Sequence, residues 1–415
     1  MPVPPEKTSE AEADTPAVTP LTEPAEGVPP VVTTPEALGE VVRSFAAGSG
    51  PVAVDAERAS GYRYGQRTYL VQMRREGAGT ALIDPIALPD LSELGEALSG
   101  VEWVLHAASQ DLPGLAEQRM HPDAVFDTEL AARLLGMPRV GLAAVVADVL
   151  GLGLAKEHSA VDWSTRPLPA DWLRYAALDV EVLVEVRNEL AARLVAAGKD
   201  EWARQEFEAV RLAPPPAPRI DPWRRVSGLH AVRGTRSLAV VRSLWAARDE
   251  EARRRDISPG RILPDAAIVA AAIALPTSAT ELSALRQFSG KGTRRRIDLW
   301  FGAIGEALAL PESELPPVRG AGVPGPPPPR AWAERDPAAA ARLAAAKAVV
   351  TAFAEEHLVP VENLLQPDLL RRLCWSPPPS LSAESVAEAL RAGSAREWQV
   401  ELFSEPLAEA LVTLG

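Results

Sequence analysis

Four carboxylates and one phenol stand out by type and spacing. Asp55 and Glu57 lie two apart at the end of the apolar run Pro51-Val-Ala-Val-Asp55, so on a strand their side chains share a face. Two like charges on one face repel unless a cation sits between them, and oxygen ligands of this kind suit Mg²⁺ or Mn²⁺. Asp111 closes His106-Ala-Ala-Ser-Gln-Asp111, which follows a second apolar run, Val101–His106, and leads into a helix with Ser109 as its expected N-cap. Tyr175 and Asp179 are four apart in Tyr175-Ala-Ala-Leu-Asp179, on one face of a helix starting near Ala170. Taken singly, these are a solvated strand end, an acid favoured by a helix dipole and a half-buried tyrosine of an amphipathic helix. Together they suit phosphoryl chemistry with two divalent ions about 3.5–4 Å apart. One ion activates a water and the other stabilises a leaving 3′ oxygen, while Tyr175 orients the attacking water.

The elements that must position these groups are legible in outline. Strand-like runs at Pro51–Asp55, Thr68–Met73 and Thr80–Asp84 precede a helical stretch at Leu91–Leu98, the run Val101–His106 and a helix from Ser109. Strands in succession, then strands alternating with helices, predict a mixed α/β sheet with helices on its faces. Thr34 followed by Pro35 reads as a helix start. The predicted order is a disordered acidic, proline-rich tail over 1–30, the α/β block over 31–212, and a proline linker over 213–220. An all-helical block over 221–310, a Pro/Gly linker over 311–332 and a second helical block over 333–415 complete it.

Composition bounds the function. At 415 residues, 47% of them hydrophobic, the chain has material for about three domains. A single cysteine, Cys374, excludes a disulfide framework or a Cys-based zinc cluster and gives the cytoplasm as the default compartment. The longest apolar run, Ala266–Leu275, has ten residues where a membrane span needs about 20, and the N-terminus lacks a secretory pattern. Net charge is −13, but residues 221–300 carry 15 bases against eight acids. Within them Arg253, Arg254 and Arg255, and Lys291, Arg294, Arg295 and Arg296, form two clusters. Each suits contact with a phosphate backbone or a solvated face.

The three motifs Val-Asp55-Ala-Glu57, His106-Ala-Ala-Ser-Gln-Asp111 and Tyr175-Ala-Ala-Leu-Asp179 resemble those of ribonuclease D, in the Tyr-containing branch of the DEDD 3′→5′ exonucleases. Flanking segments match as well: Thr80-Ala-Leu-Ile-Asp-Pro85, Phe126-Asp-Thr-Glu-Leu130 and Asp162-Trp-Ser-Thr-Arg-Pro-Leu168. The resemblance implies an RNase H-like fold for residues 48–212. It also implies that Asp55, Glu57, Asp111 and Asp179 ligate two divalent cations, Mg²⁺ or Mn²⁺, and that Tyr175 holds the water. The block 221–308 is similar to an HRDC domain, and 333–415 takes the place of a second, HRDC-like one. The implied activity is trimming of RNA 3′ ends, tRNA precursors being the family's usual substrate, by a protein taken as a monomer. A DNA exonuclease, or a nucleic-acid-binding scaffold with a weak nuclease site, are the alternatives. His106 reads as structural or supporting, and His158 as no base while Tyr175 is present. Trp163 and Trp172 read as core, Asp84 and Asp127 as turn and cap residues, and Cys374 as buried and inert.

Overall fold

In the computed structural model, which describes residues 18–154, 158, 160–215, 217–320 and 325–412, alternation along one strand decides where the carboxylates go. The elements of the first block are β1 (Thr19–Leu21), β2 (Val31–Val32), α1 (Pro35–Ala47), β3 (Ser49–Arg58), β4 (Thr68–Glu76), β5 (Gly79–Ile83), α2 (Ser92–Ala97), β6 (Glu102–Leu105), α3 (Leu112–Glu117) and β7 (Ala124–Asp127). There follow α4 (Thr128–Leu134), α5 (Leu142–Leu150), β8 (Leu152–Leu154), α6 (Ala170–Glu181), α7 (Leu183–Ala196) and α8 (Asp200–Arg211). Six strands make a mixed sheet in the order β2-β5-β4-β3-β6-β7. The strand β3 is antiparallel to β4 and parallel to β6. Its Val52, Val54 and Ala56 enter a core with Phe45 of α1 and Leu94 of α2. Ala53, on the other face, packs with Val180 and Leu183. A period of two therefore turns Asp55 and Glu57 toward α6. Thr34 caps α1 as expected, its hydroxyl accepting from the Ala37 N–H at 3.3 Å.

The expectation of an unstructured tail up to residue 30 is corrected from residue 18 onward; residues 1–17 lie outside the described residues. Thr19–Leu21 pairs in parallel with Leu152–Leu154. Beyond it Glu23 meets Arg174 at 3.0 Å, the Ala25 N–H donates to Glu181 at 3.0 Å, and Glu26 meets Arg74 at 3.5 Å. A segment too poor in large apolar residues to fold alone is ordered by a strand edge and by arginines that the rest of the fold presents.

The next block is all helical, built around α9 (Thr235–Arg255), with Leu238, Val241, Leu244, Ile268, Trp300 and Ile304 in its core. It docks on the loop between β3 and β4. Asp256, in the left-handed region at φ 48°, accepts the Tyr64 and Gly65 N–H groups at 3.2 and 3.3 Å. The Tyr64 hydroxyl donates to Asp249 at 3.1 Å, and Arg261 donates to the Gly61 carbonyl at 2.7 Å while lying over the Tyr62 ring.

The C-terminal block shares one apolar core with α4, α5, α7 and α8. Trp332, placed in the linker by the sequence reading, is wholly buried, its indole N–H donating to the Pro327 carbonyl at 2.7 Å. Helix Pro337–His357 is 21 residues long and apolar enough to cross a membrane by length and composition. Its Ala339, Leu343, Ala346 and Val350 are buried in that core instead. Trp398 stacks on Trp202 at 4.7 Å, and its indole donates to Glu206 at 3.1 Å. Cys374 is buried, and burial pushes its thiol up to about 12, so it is inert as expected.

Because that core is continuous, the first and last blocks should unfold together. Trp398→Ala should cost about 3–5 kcal/mol and move a single urea transition reported by both blocks. Two separate transitions in the wild-type protein would contradict a shared core.

Candidate active site

Each carboxylate owes its place to a different element. Asp55 and Glu57 leave the end of β3 on the face under α6. In that helix Ala176 and Ala177 are buried with Leu70, Leu82 and Trp163, and Val180 with Ala53. Side chains this small let the helix lie close on the sheet, which sets Asp179 over β3. Asp111 arrives from β6, the parallel neighbour of β3. After that strand Ala107 takes φ 62°, and Ala108–Gln110 form one tight turn before Asp111 starts α3. Buried Asp127 organises the turn, accepting the N–H groups of Ala107 at 3.1 Å, Ala108 at 2.8 Å, Glu129 at 2.9 Å and Leu130 at 3.2 Å. The N-cap expected of Ser109 is corrected, since Ser109 lies inside the turn. Asp111 stands at the helix start, makes no side-chain capping bond and lies 3.9 Å from Arg58.

The structure brings the five predicted residues together. Carboxylate oxygens of Asp55, Glu57 and Asp179 lie within 4.8 Å of one another. Asp111 and Tyr175 line the same cavity of about 750 Å³, along with Arg58, His106 and Arg139. Burial is the first cause that raises all four acids, and their mutual charges add to it for Glu57, Asp111 and Asp179. Asp111 is pushed up to about 8, while Glu57 and Asp179 stand well above the usual carboxylate range. Asp55 is raised too, opposed by hydrogen bonds from Ala56 and Gln72 and by the Arg58 charge. Burial and then the Asp179, Glu57 and Asp55 charges raise the Tyr175 phenol, so its hydroxyl keeps its proton beside Asp179. An all-oxygen cluster whose negative charge the protein leaves so poorly compensated fits hard divalent cations.

Gln72 was missed by the sequence reading. It is wholly buried opposite Asp55 in the β3–β4 register and donates to Asp55 at 2.6 Å. The available signal was an amide inside an apolar run. Arg58 and Arg139 also line the cavity unforeseen; no motif marks them. His106 is half-buried, contacts the Thr128 hydroxyl at 2.9 Å and is pushed down to about 4, chiefly by loss of solvent, which favours the neutral ring. His158 lies 3.3 Å from Asp171 and edge-on to Tyr175. Trp163 is core, and half-buried Trp172 packs against it.

The seven basic residues do not form one set. Arg253 pairs with Asp249 at 2.8 Å and Glu250 at 3.2 Å, whereas Glu251 takes Arg254 at 2.6 Å, Arg255 at 3.8 Å and Arg296 at 2.7 Å. Acids one turn away on the same helix absorb the run. Lys291, Arg294 and Arg295 are exposed and have no ion pair among the described residues.

A pH dependence follows from Asp111. Its folded value lies above the ordinary 3.8, so the proton it holds favours the fold below that value, and the benefit is lost as pH rises through about 8. In EDTA the melting temperature of the wild-type protein should therefore fall between about pH 6 and pH 9 more than that of Asp111→Asn, which carries no charge at either pH. Adding Mg²⁺ should reverse the order at the higher pH, and parallel curves in EDTA would contradict the assignment.

Comparison with known proteins places the fold. Residues 29–195 match a family described as 3′-5′ exonuclease, 237–304 the HRDC domain, and 325–411 the 3′ to 5′ exonuclease C-terminal domain. The ribonuclease D of Gluconacetobacter diazotrophicus is 32% identical over 366 residues, 85% of this chain and 88% of that protein. A protein from Bifidobacterium adolescentis superposes with a TM-score of 0.88 at 40% identity over 95% of this chain and all of that one. Escherichia coli RNase D, described as an exoribonuclease involved in structured RNA processing, does so with a TM-score of 0.65 at 27% identity over 93% of this chain and 98% of that one. The first block is thus an RNase H-like exonuclease domain, and the chain belongs to the ribonuclease D family of metal-dependent 3′→5′ exonucleases.

Proposed function

We propose that this exonuclease removes nucleotides from RNA 3′ ends, tRNA precursors among them, in the cytoplasm and as a monomer. We propose further that Asp55, Glu57, Asp111 and Asp179 hold two divalent cations, Mg²⁺ or Mn²⁺. The observation that carries this reading is the convergence of those four carboxylates with Tyr175 in one cavity. RNA as the substrate rests on the ribonuclease D relatives and on the likeness to E. coli RNase D. The HRDC match and the single buried thiol are in keeping with an RNA-processing enzyme of a reducing compartment.

When bound, the cations would supply a nucleophilic water at neutral pH and neutralise charge on the leaving oxygen. The protein's own groups do the positioning. Gln72 fixes the Asp55 carboxylate, and α6 carries Tyr175 one turn from Asp179 on the same face. Kept protonated, the Tyr175 hydroxyl has oxygen lone pairs with which to accept from the attacking water. Affinity for the rest of the RNA must come from elsewhere, since an acidic cavity repels phosphates. Lys291, Arg294 and Arg295 are the exposed cations of the predicted set that the structure leaves unpaired.

Asp55→Ala, Glu57→Ala, Asp111→Ala and Asp179→Ala should each abolish release of nucleotides from 3′-labelled RNA in Mg²⁺, as EDTA should in the wild type. Near-normal turnover in Asp55→Ala at saturating Mg²⁺ would refute the ligand set. Tyr175→Phe should lower turnover by about 10²-fold with metal affinity nearly unchanged, because it removes a water-positioning group and not a ligand. Neutralising Lys291, Arg294 and Arg295 together should flatten the slope of log affinity against log salt by roughly 2, at ~0.7 per lost contact on single-stranded RNA. An unchanged slope would make that cluster a solvated face.

A further inference from the structure

The cavity contains a cation that neither the motifs nor the metal ligands account for. Arg58 follows Glu57 on β3 and lines the cavity beside the carboxylates, with its side chain 26% exposed. Other arginines of the exonuclease domain have close side-chain partners. Arg166 makes a two-pronged contact with Asp84 at 2.7 and 2.9 Å, Arg187 one with Glu102 at 2.7 and 3.3 Å, and Arg63 donates to Ser164 at 2.7 Å. Arg58 makes no hydrogen bond among the described residues; its one ion pair, with Asp111, is loose at 3.9 Å. A guanidinium carries five N–H donors in a planar fork that matches phosphate oxygens. The Arg58 side chain is partly exposed, so those donors are open to the cavity and to whatever enters it.

Charge bookkeeping within the cavity says what that is. Two divalent cations balance four carboxylates and leave nothing over for a substrate phosphodiester. Hydrolysis then adds charge. The water oxygen bonds to phosphorus as it gives up a proton to solvent, and the bond from phosphorus to the 3′ oxygen of the preceding nucleotide breaks. That oxygen leaves with the bonding pair and takes a proton, and in between the phosphoryl oxygens carry an additional negative charge. Two arginines line the cavity: Arg139, exposed in the loop before α5, and Arg58, which lies 3.9 Å from Asp111 and so is the cation beside a site carboxylate. Resting on the metal-site reading above, we propose that Arg58 is a further catalytic residue. It stands in against Asp111 while cations are absent, and it turns its guanidinium to the phosphate of the 3′-terminal linkage once Asp111 has a metal to hold.

The proposal makes two effects move in opposite directions, which a merely structural arginine would not. In the full-length protein, Arg58→Gln should lower kcat on a 3′-labelled oligoribonucleotide by on the order of 10²-fold, as loss of one transition-state donor does. The same substitution should tighten Mn²⁺ binding in the absence of RNA, read by electron paramagnetic resonance of free Mn²⁺, because a competing cation has left. Arg58→Lys should keep the weaker Mn²⁺ binding of the wild type and recover part of the turnover, since it keeps the charge and loses the fork. Near wild-type turnover in Arg58→Gln would overturn the proposal, as would a loss of turnover accompanied by weaker Mn²⁺ binding and a lowered melting temperature. Asp179→Ala, measured alongside, separates the two readings. If it is inactive while Arg58→Gln is fully active, the metal site stands and the role of Arg58 falls; if both are active, the metal site itself is wrong.

Discussion

Four carboxylates around one cavity, Asp111 buried and the other three half-buried, repel one another, and much of the surrounding structure can be understood as what holds them there. Their charged forms are disfavoured by burial first and by each other second. A flexible scaffold would relax by moving them apart. The sheet limits this because β3 is an interior strand, and its backbone at Asp55 and Glu57 is fixed by pairing with β4. Gln72 ties Asp55 from the next strand. Asp127 caps α4 through Glu129 and Leu130 and with the same carboxylate holds the Ala107 and Ala108 N–H groups of the turn that delivers Asp111. Helix α6, which carries Tyr175 and Asp179, is pressed on the sheet through two alanines and held from outside by the Glu23–Arg174 pair and the Ala25–Glu181 bond. Repulsion held in this way is what a hard cation placed among the carboxylates would relieve.

The two helical blocks are attached by different physics. The C-terminal block continues the hydrophobic core of the exonuclease domain, so it is in effect part of that domain's interior. The HRDC block has its own core and meets the exonuclease domain through polar contacts of Asp249, Asp256 and Arg261 with residues 61–65. Polar interfaces of this kind resemble those between separate proteins more than they resemble a domain interior. Their place matters, because the loop they hold begins immediately after the strand that carries Asp55, Glu57 and Arg58. The position of the HRDC block and the end of that strand are therefore mechanically linked.

The three motifs were legible in the sequence because their chemistry depends on local spacing. Two residues on a strand share a face, and four on a helix share a face, wherever the chain goes. For the same reason the Thr34 cap and the helical character of the last two blocks could be read directly. The tail was misread from residue 18 because its order is not local: a poor folding sequence is held by a strand edge and by Arg74 and Arg174, far away in the chain. The basic clusters were overcounted for a related reason, since Glu251 lies within a turn of Arg254 and Arg255 and yet also reaches Arg296, 45 residues on.

By itself, then, the sequence determined which residue types would do the chemistry, on which kinds of element, and in what order along the chain. Only the tertiary structure decided that Asp111 meets Asp55, that Gln72 stands opposite it, and that Arg58 points its unspent donors into the same cavity. Those facts depend on strand register and on the crossing of α6 over β3. Both are set by packing between residues distant in sequence, and no spacing rule along one segment can encode them.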